Sequence, residues 1–95
     1  MSIPVCSGGT ISAGGSSITF TNSNSNTSYT ITSCKSSNGN NMPGWPSTPP
    51  VVPAAQNGVN GSVTVVLATP TVVGYYTYIT NPACPTATNP VIHVQ

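Results

Sequence analysis

The sequence predicts an all-β fold, a Greek-key β-sandwich of six to eight short strands in a single domain over residues 1–95. Three observations predict it. Short alternations of apolar and polar residues recur along the chain, each bounded by Gly, Pro, Asn or Ser. Ten prolines and nine glycines are spread over the 95 residues, which excludes helices of ordinary length. Hydrophobic residues make up 37% of the chain, enough for one thin core.

The first third of the chain predicts three strands. Residues 3–11 mix apolar residues with a Gly-Gly pair and predict a weak strand with a bend or bulge. Residues 17–22 and 28–33 alternate cleanly on either side of a polar run, so they predict a hairpin. The residues that share a face are Ile18 with Phe20 and Tyr29 with Ile31.

The middle of the chain predicts loops. Alternation stops from residue 34 to residue 53, where five prolines predict a long loop. Trp45 lies in this loop and is predicted to pack it onto one end of the core. Residues 54–61 carry two Asn-Gly steps, which favour a turn with positive φ.

The last third of the chain predicts three more strands. Clean alternation, in which Tyr76 and Tyr78 share a face, predicts the strand before the final loop. The strands are predicted at residues 62–67, 74–80 and 91–94, and a proline-containing loop is predicted over residues 81–90.

Charge is almost absent from the chain. Lys35 is the one cation, there is no Asp or Glu, and the net charge is +1. A single lysine cannot neutralise the phosphates that nucleic-acid binding requires, so we expect no nucleic-acid partner. No stretch approaches the roughly 20 apolar residues that cross a bilayer, so we expect no membrane insertion. Solubility depends on thirteen Ser, fourteen Thr and ten Asn, which hydrate without repelling one another, and near-zero charge favours association.

The same composition excludes most catalytic chemistry. General acid–base catalysis by carboxylates and the Ser-His-Asp arrangement both need an acid that the chain lacks. Strong calcium and magnesium sites need carboxylates as well. The Gly-Gly pairs lack the lysine and the strand-loop-helix setting of a phosphate-binding loop. We therefore expect a protein that is not an enzyme and has no cofactor.

Three cysteines, Cys6, Cys34 and Cys84, allow one disulfide and one leftover thiol. The residues alone do not fix the pairing. A Thr-rich and Asn-rich β-fold with cysteines near strand ends is typical of an extracellular or cell-surface domain.

The order of these segments resembles the cupredoxin family, including the plant phytocyanins, over roughly residues 10–95. Residues 11–22, a glycine turn and then a strand ending in Phe-x-Asn, are similar to the opening of that family. The Gly-Tyr-Tyr-Thr-Tyr segment at residues 74–78 is similar to its Gly-x-Tyr-x-Tyr segment. The resemblance implies a cupredoxin-like sandwich.

The resemblance does not extend to the copper ligands. A blue-copper site needs a thiolate, two imidazoles and usually a thioether, whereas His93 is the only histidine and lies inside the last predicted strand. The first histidine of the family falls near Ser28 or Tyr29, and its cysteine falls near Thr80. We therefore expect no metal site, and copper-binding electron transfer ranks third among the functions considered.

The resemblance also implies a disulfide. In phytocyanins, a cysteine just after the first-histidine strand is bridged to one in the ligand loop. Carried over to this chain, that pattern implies a Cys34–Cys84 disulfide and leaves Cys6 as a free thiol.

We consider two functions above the others for this protein. Thr-rich and Asn-rich strands without protective charges invite edge pairing, so the leading hypothesis is a non-catalytic, extracellular structural or self-assembling surface domain. The alternative is a carbohydrate-binding module, in which Trp45 and Tyr75 would form an aromatic platform for a sugar.

Overall fold

The computed structural model describes residues 2–85 and 88–95, which form eight strands and no helix. The strands are β1 (Ser2–Pro4), β2 (Gly9–Ile11), β3 (Ser17–Asn22), β4 (Tyr29–Ser36), β5 (Val51–Val52), β6 (Gly61–Val66), β7 (Gly74–Asn81) and β8 (Val91–Val94). One sheet has the strand order β1-β3-β6, and the other has the order β2-β8-β7-β4-β5. The predicted all-β sandwich of six to eight short strands is confirmed.

The core lies between the two sheets. Phe20 of β3 meets Tyr78 of β7 edge to face, with ring centroids 5.3 Å apart and both side chains fully buried. The predicted faces are confirmed, because Ile18 lies with Phe20 in this core and Tyr76 lies there with Tyr78. Burial of each large apolar side chain contributes about 1.5–3 kcal/mol, so this layer is the main source of stability.

The N-terminal segment forms two strands in different sheets rather than one bent strand. β1 runs parallel to β3, and β2 runs parallel to β8. Gly8 turns the chain between them with φ 67°, and a Cβ at this position would overlap the backbone of Val91. The Tyr78 hydroxyl accepts the N–H of Gly8 at 3.2 Å and donates to the carbonyl of Pro4 at 3.5 Å. One buried tyrosine thus holds the N-terminal crossing, the segment between β1 and β2 where the chain passes from one sheet to the other.

The predicted hairpin of the second and third strands is wrong. β3 pairs antiparallel with β6, and β4 pairs antiparallel with β7, so the intervening residues carry the chain between sheets. The buried Asn22 organises this crossover. Its Nδ2 donates to the carbonyls of Thr27 and Pro53 at 2.7 and 3.1 Å, and its Oδ1 accepts the N–H of Asn24 at 3.0 Å. A polar run that favours a hairpin turn serves here as a crossover.

The predicted loops are found with revised bounds. β4 continues to Ser36 and pairs with the short β5, so the loop between them is shorter than predicted. Trp45 packs as predicted, half-buried and edge-on to Phe20 with centroids 6.4 Å apart. Asn57 and Gly58 form a turn with φ 52° and 77°, which confirms the predicted positive φ. Two residues of the predicted loop over residues 81–90, numbers 86 and 87, lie outside the described residues.

A tyrosine corner fixes the start of β7. The Tyr76 hydroxyl donates to the carbonyl of Val72, four residues upstream, at 2.9 Å. This bond is typical of Greek-key sandwiches, where it ties a strand to the connection that enters it. The alternation of residues 74–80 predicts that Tyr76 shares a face with Tyr78, but it does not predict this bond.

We expect Tyr76→Phe to lower the free energy of unfolding by about 1 kcal/mol, because the Val72 carbonyl loses its donor while the ring stays packed. Urea unfolding followed by circular dichroism measures the change. Tyr75→Phe is the matched control, because Tyr75 is exposed and its hydroxyl makes no hydrogen bond within the described residues. Equal losses in the two variants would contradict the corner.

Candidate functional site

The structure joins Cys6 to Cys84, with a Cα–Cα distance of 5.5 Å, and leaves Cys34 as the thiol. The predicted Cys34–Cys84 disulfide and the predicted free Cys6 are therefore wrong. The reason is the register of the sheet: Cys34 lies opposite Tyr78, whereas Cys84 follows the end of β7 at Asn81. Three strand residues span about 10 Å, more than the Cα distance of about 4.4–6.8 Å that a disulfide bridges.

The Cys6–Cys84 disulfide ties the N-terminal crossing to the loop after β7. Its two cysteines are 78 residues apart in the sequence. In the chain-entropy account, a disulfide that closes a loop of this length stabilises the fold by about 4.5 kcal/mol. This is a large share of the free energy of unfolding of a typical domain, which is roughly 5–15 kcal/mol. The Thr80 hydroxyl lies 3.3 Å from the Cys84 sulfur and donates to the Pro82 carbonyl at 2.9 Å, which helps to hold this loop.

Cys34 is a core residue rather than a reactive one. It is fully buried, and its Sγ lies 3.8 Å from the Sδ of Met42. Burial raises the pKa of the thiol from 9.0 to about 12, because a thiolate at this position would lose its hydration. The neutral thiol therefore packs as a small apolar group at physiological pH.

The two aromatic residues predicted as a sugar platform lie in different parts of the sandwich. The ring of Trp45 packs against Phe20, whereas Tyr75 is 61% exposed on the outer face of the five-stranded sheet. Tyr75 stacks instead on His93, its neighbour across the β7–β8 ladder, with centroids 4.2 Å apart and planes at 8°. The sequence alone does not predict this pair, because only the register of β7 against β8 reveals it.

The positions that the resemblance assigns to copper ligands hold other chemistry. Tyr29 is buried, and its hydroxyl lies 3.5 Å from the Nδ2 of Asn24. Thr80 is also buried and provides an alcohol in place of a thiolate. Within residues 2–85 and 88–95, no three His, Cys, Asp or Glu side chains form a group that could hold a metal ion.

A cavity of about 220 Å³ opens beside the disulfide. Cys6, Asn22, Asn24, Tyr29 and Pro85 are among its lining residues. This volume lies below the range of about 300–1,000 Å³ that is typical of ligand pockets. The polar atoms of the Asn22 side chain already have partners in the protein, so this cavity is better explained by the crossover than by a ligand.

The outward side of β6 is unpaired. Leu67 donates its N–H to the carbonyl of Ser16 at 2.8 Å, and this bond continues the β3–β6 ladder. Because antiparallel ladders alternate, the N–H and C=O groups of every second residue point away from β3. No hydrogen bond from the described residues reaches these groups. We call them the open edge; its residues are Ser62, Thr64 and Val66.

The open edge has no chemical protection. All three of its side chains are exposed, and Val66 is 71% exposed. Natural edge strands are usually blunted by charges, proline or bulges, and β6 contains neither a charge nor a proline. Its sequence, Gly-Ser-Val-Thr-Val-Val, is rich in β-branched residues that favour strand pairing. The arrangement is suited to accept another strand.

No protein-family model, curated protein or solved structure matches the chain, so the resemblance to cupredoxins stays a prediction. In the part of the chain that the structure describes, no helix is long and apolar enough to cross a membrane. The features of the sandwich that bear on function are the open edge, the Tyr75–His93 pair and the disulfide.

We expect the native protein to show no thiol that iodoacetamide alkylates at pH 8, and one such thiol after unfolding without reductant. The reason is that Cys34 is buried while Cys6 and Cys84 are bridged. Intact mass spectrometry counts the adducts, and Cys34→Ala should abolish the adduct of the unfolded chain.

The same assignment can be tested by mutation. Cys6→Ser should release the Cys84 thiol as a second alkylation site and lower the stability by about 2–5 kcal/mol. Peptic digestion without reductant should give a peptide pair joined through Cys6 and Cys84. A pair joined through Cys34 and Cys84 would contradict the structure.

Proposed function

We propose that this protein is a non-catalytic, extracellular structural domain that associates with copies of itself. The observation that carries the proposal is the open edge, a row of unpaired backbone groups on an uncharged strand. Strand pairing satisfies such groups and removes them from water, and edges without charges are the ones that associate. The chain has a net charge of only +1, so long-range repulsion between copies is weak.

The extracellular setting is supported by the disulfide. Disulfides persist in oxidising compartments and are common in small secreted domains, whose thin cores bury too little surface. The Cys6–Cys84 bridge closes most of the 95-residue chain. A polar surface of Ser, Thr and Asn, with no acidic residue, fits the same setting.

The non-catalytic character is supported by the surroundings of the few reactive side chains. Cys34 is buried and protonated at neutral pH. His93 is engaged face to face by Tyr75, and the chain contains no carboxylate side chain that could orient or activate its imidazole. The arrangement therefore offers no nucleophile–base pair of the usual kind.

The second candidate function is carbohydrate binding, and the observation that favours it is the exposed ring of Tyr75 on a sheet face. Exposed aromatic rings provide the flat apolar surface on which a sugar can stack. Exposed Thr77 and Ile79 follow Tyr75 at alternate positions of β7, so a shallow surface extends along the strand. Trp45 has no part in this version of the hypothesis, because its ring packs against Phe20.

We expect the protein to self-associate with rising concentration, and we expect Thr64→Lys to abolish this, because a charge would then lie on the open edge. Sedimentation velocity over a range of protein and salt concentrations measures this self-association. It should depend only weakly on salt concentration, because no side-chain ion pair can stabilise the contact. Ile79→Lys is the matched control: it gives the same net charge on the outer face of the other sheet. A strictly monomeric wild-type protein would refute the proposal.

For the second candidate, we expect a glycan array to show binding that Tyr75→Ala removes and Tyr76→Phe keeps. The reason is that Tyr75 is the exposed ring, whereas Tyr76 lies in the core. Thermal unfolding of the Tyr75→Ala variant checks that the loss of binding is not a loss of fold. An array without any bound glycan would exclude this function for the glycans displayed.

A further inference from the structure

The edges of the two sheets differ in how much backbone they leave unpaired. The three-stranded sheet ends at β1 and β6, and the five-stranded sheet ends at β2 and β5. Two copies can join edge to edge only where the backbone groups point outward and have no partner. The protection of each edge therefore determines the kind of assembly that the protein can form.

The β1 edge is closed by proline. Val5 donates its N–H to the Thr21 carbonyl at 2.8 Å, so the odd-numbered residues of this segment bond to β3 and Pro4 faces outward. Pro4 has no N–H, and its carbonyl already accepts the N–H of Ser7 at 3.0 Å and the hydroxyl of Tyr78 at 3.5 Å. Only Ser2 is left on this edge with free outward groups, so the edge cannot support a ladder of several hydrogen bonds.

The edges of the other sheet are short: only Thr10 in β2 and only Val51 in β5 point both backbone groups outward without a partner among the described residues. β2 has three residues, and just beyond it the Ser12 carbonyl accepts the Thr71 hydroxyl at 3.1 Å. β5 has two residues, and prolines at positions 50 and 53 flank it on both sides. Neither edge presents to a second copy a run of free groups as long as that of β6. Among the described residues, the open edge of β6 is therefore the longest site for edge pairing.

We propose, building on the self-association argued above, that the assembly is a closed dimer in which β6 pairs antiparallel with β6 of a second copy. Because the other described edges are only two or three residues long, the open edge of β6 has no second edge of matching length on which a chain of copies could grow. The open edges of two copies therefore pair with each other about a twofold axis, and the assembly stops at two copies. The result is one continuous six-stranded sheet made from two three-stranded sheets.

The register of this pairing follows from which groups are free. An axis through Thr64 places Thr64 opposite its own copy and Ser62 opposite Val66 of the second copy. Every outward N–H and C=O of the open edge then bonds across the interface. A shifted register would leave groups at one end unpaired or need the N–H of Ala68, which already bonds to the Gly44 carbonyl at 3.0 Å.

The side chains agree with this register. Ser2, Thr19 and Thr64 lie in one row across the three-stranded sheet, and the Thr19 and Thr64 hydroxyls are hydrogen bonded at 3.0 Å. A twofold axis at Thr64 extends the row into the second copy and places two threonines side by side. Thr–Thr pairs at directly opposite positions are among the favourable cross-strand pairs.

Cysteine cross-linking tests both the closure and the register. In Thr64→Cys, the two thiols face each other on the axis, with Cα atoms about 5.5 Å apart, inside the range that a disulfide bridges. In Ser62→Cys, the two equivalent positions are four strand residues apart, about 14 Å. We expect oxidised glutathione to convert Thr64→Cys to a covalent dimer and Ser62→Cys alone to none. A mixture of Ser62→Cys and Val66→Cys chains should cross-link, which provides a second readout if one variant folds poorly.

The outcomes separate this inference from the proposed function. Wild-type protein that reaches a dimer and no further, with the cross-linking pattern above, supports the closed dimer. Open-ended oligomers, or Ser62→Cys cross-linking as readily as Thr64→Cys, would overturn the closed dimer while leaving self-association intact. A wild-type protein that stays monomeric at every concentration would overturn both.

Discussion

The two-sheet arrangement depends on the N-terminal segment, whose first strand lies in one sheet and whose second lies in the other. Two contacts hold the crossing: the Tyr78 hydroxyl bonds to Gly8 and Pro4, and the Cys6–Cys84 disulfide anchors the residues between the strands. A core this thin has little surplus stability, and the chain has no acid with which Lys35 could form a side-chain ion pair. A covalent bond and a buried phenol therefore supplement the apolar core in holding the sheets together.

The scarcity of charge also explains how the edge strands are protected from pairing with other copies. In most sandwiches, lysines and glutamates keep edge strands apart, but this chain has one lysine, and it lies on the exposed face of β4. The partial protection found here comes from prolines and one side-chain hydrogen bond: Pro4 on β1, the Thr71 hydroxyl beyond β2 and the prolines beside β5. Three edges are short and partly blocked, whereas the longest edge strand is open, which favours a role for β6 in pairing.

The sequence predicted what is local and missed what depends on distant partners. Alternation correctly assigned the inward faces of β3 and β7, because burial on a sheet repeats every second residue. The polar run after Asn22 was wrongly taken for a hairpin turn, since the same residues suit a crossover whose hydrogen bonds involve the distant Pro53. The disulfide was missed because Cys34 lies within β4, in register with Tyr78, rather than after it. The open edge could be anticipated only as a lack of charge, because its position requires the strand order.

The two surfaces considered for function lie on different sheets, so both can be occupied at the same time. The open edge belongs to the three-stranded sheet, whereas Tyr75 and His93 lie on the outer face of the five-stranded sheet. Pairing through β6 extends the first sheet sideways and leaves the second face uncovered. A dimer of this kind would carry two Tyr75 faces in one rigid particle, and paired weak sites gain apparent affinity for a repetitive ligand without any new contact. Self-association would therefore strengthen binding to a polymer even where a single Tyr75 face binds one sugar weakly.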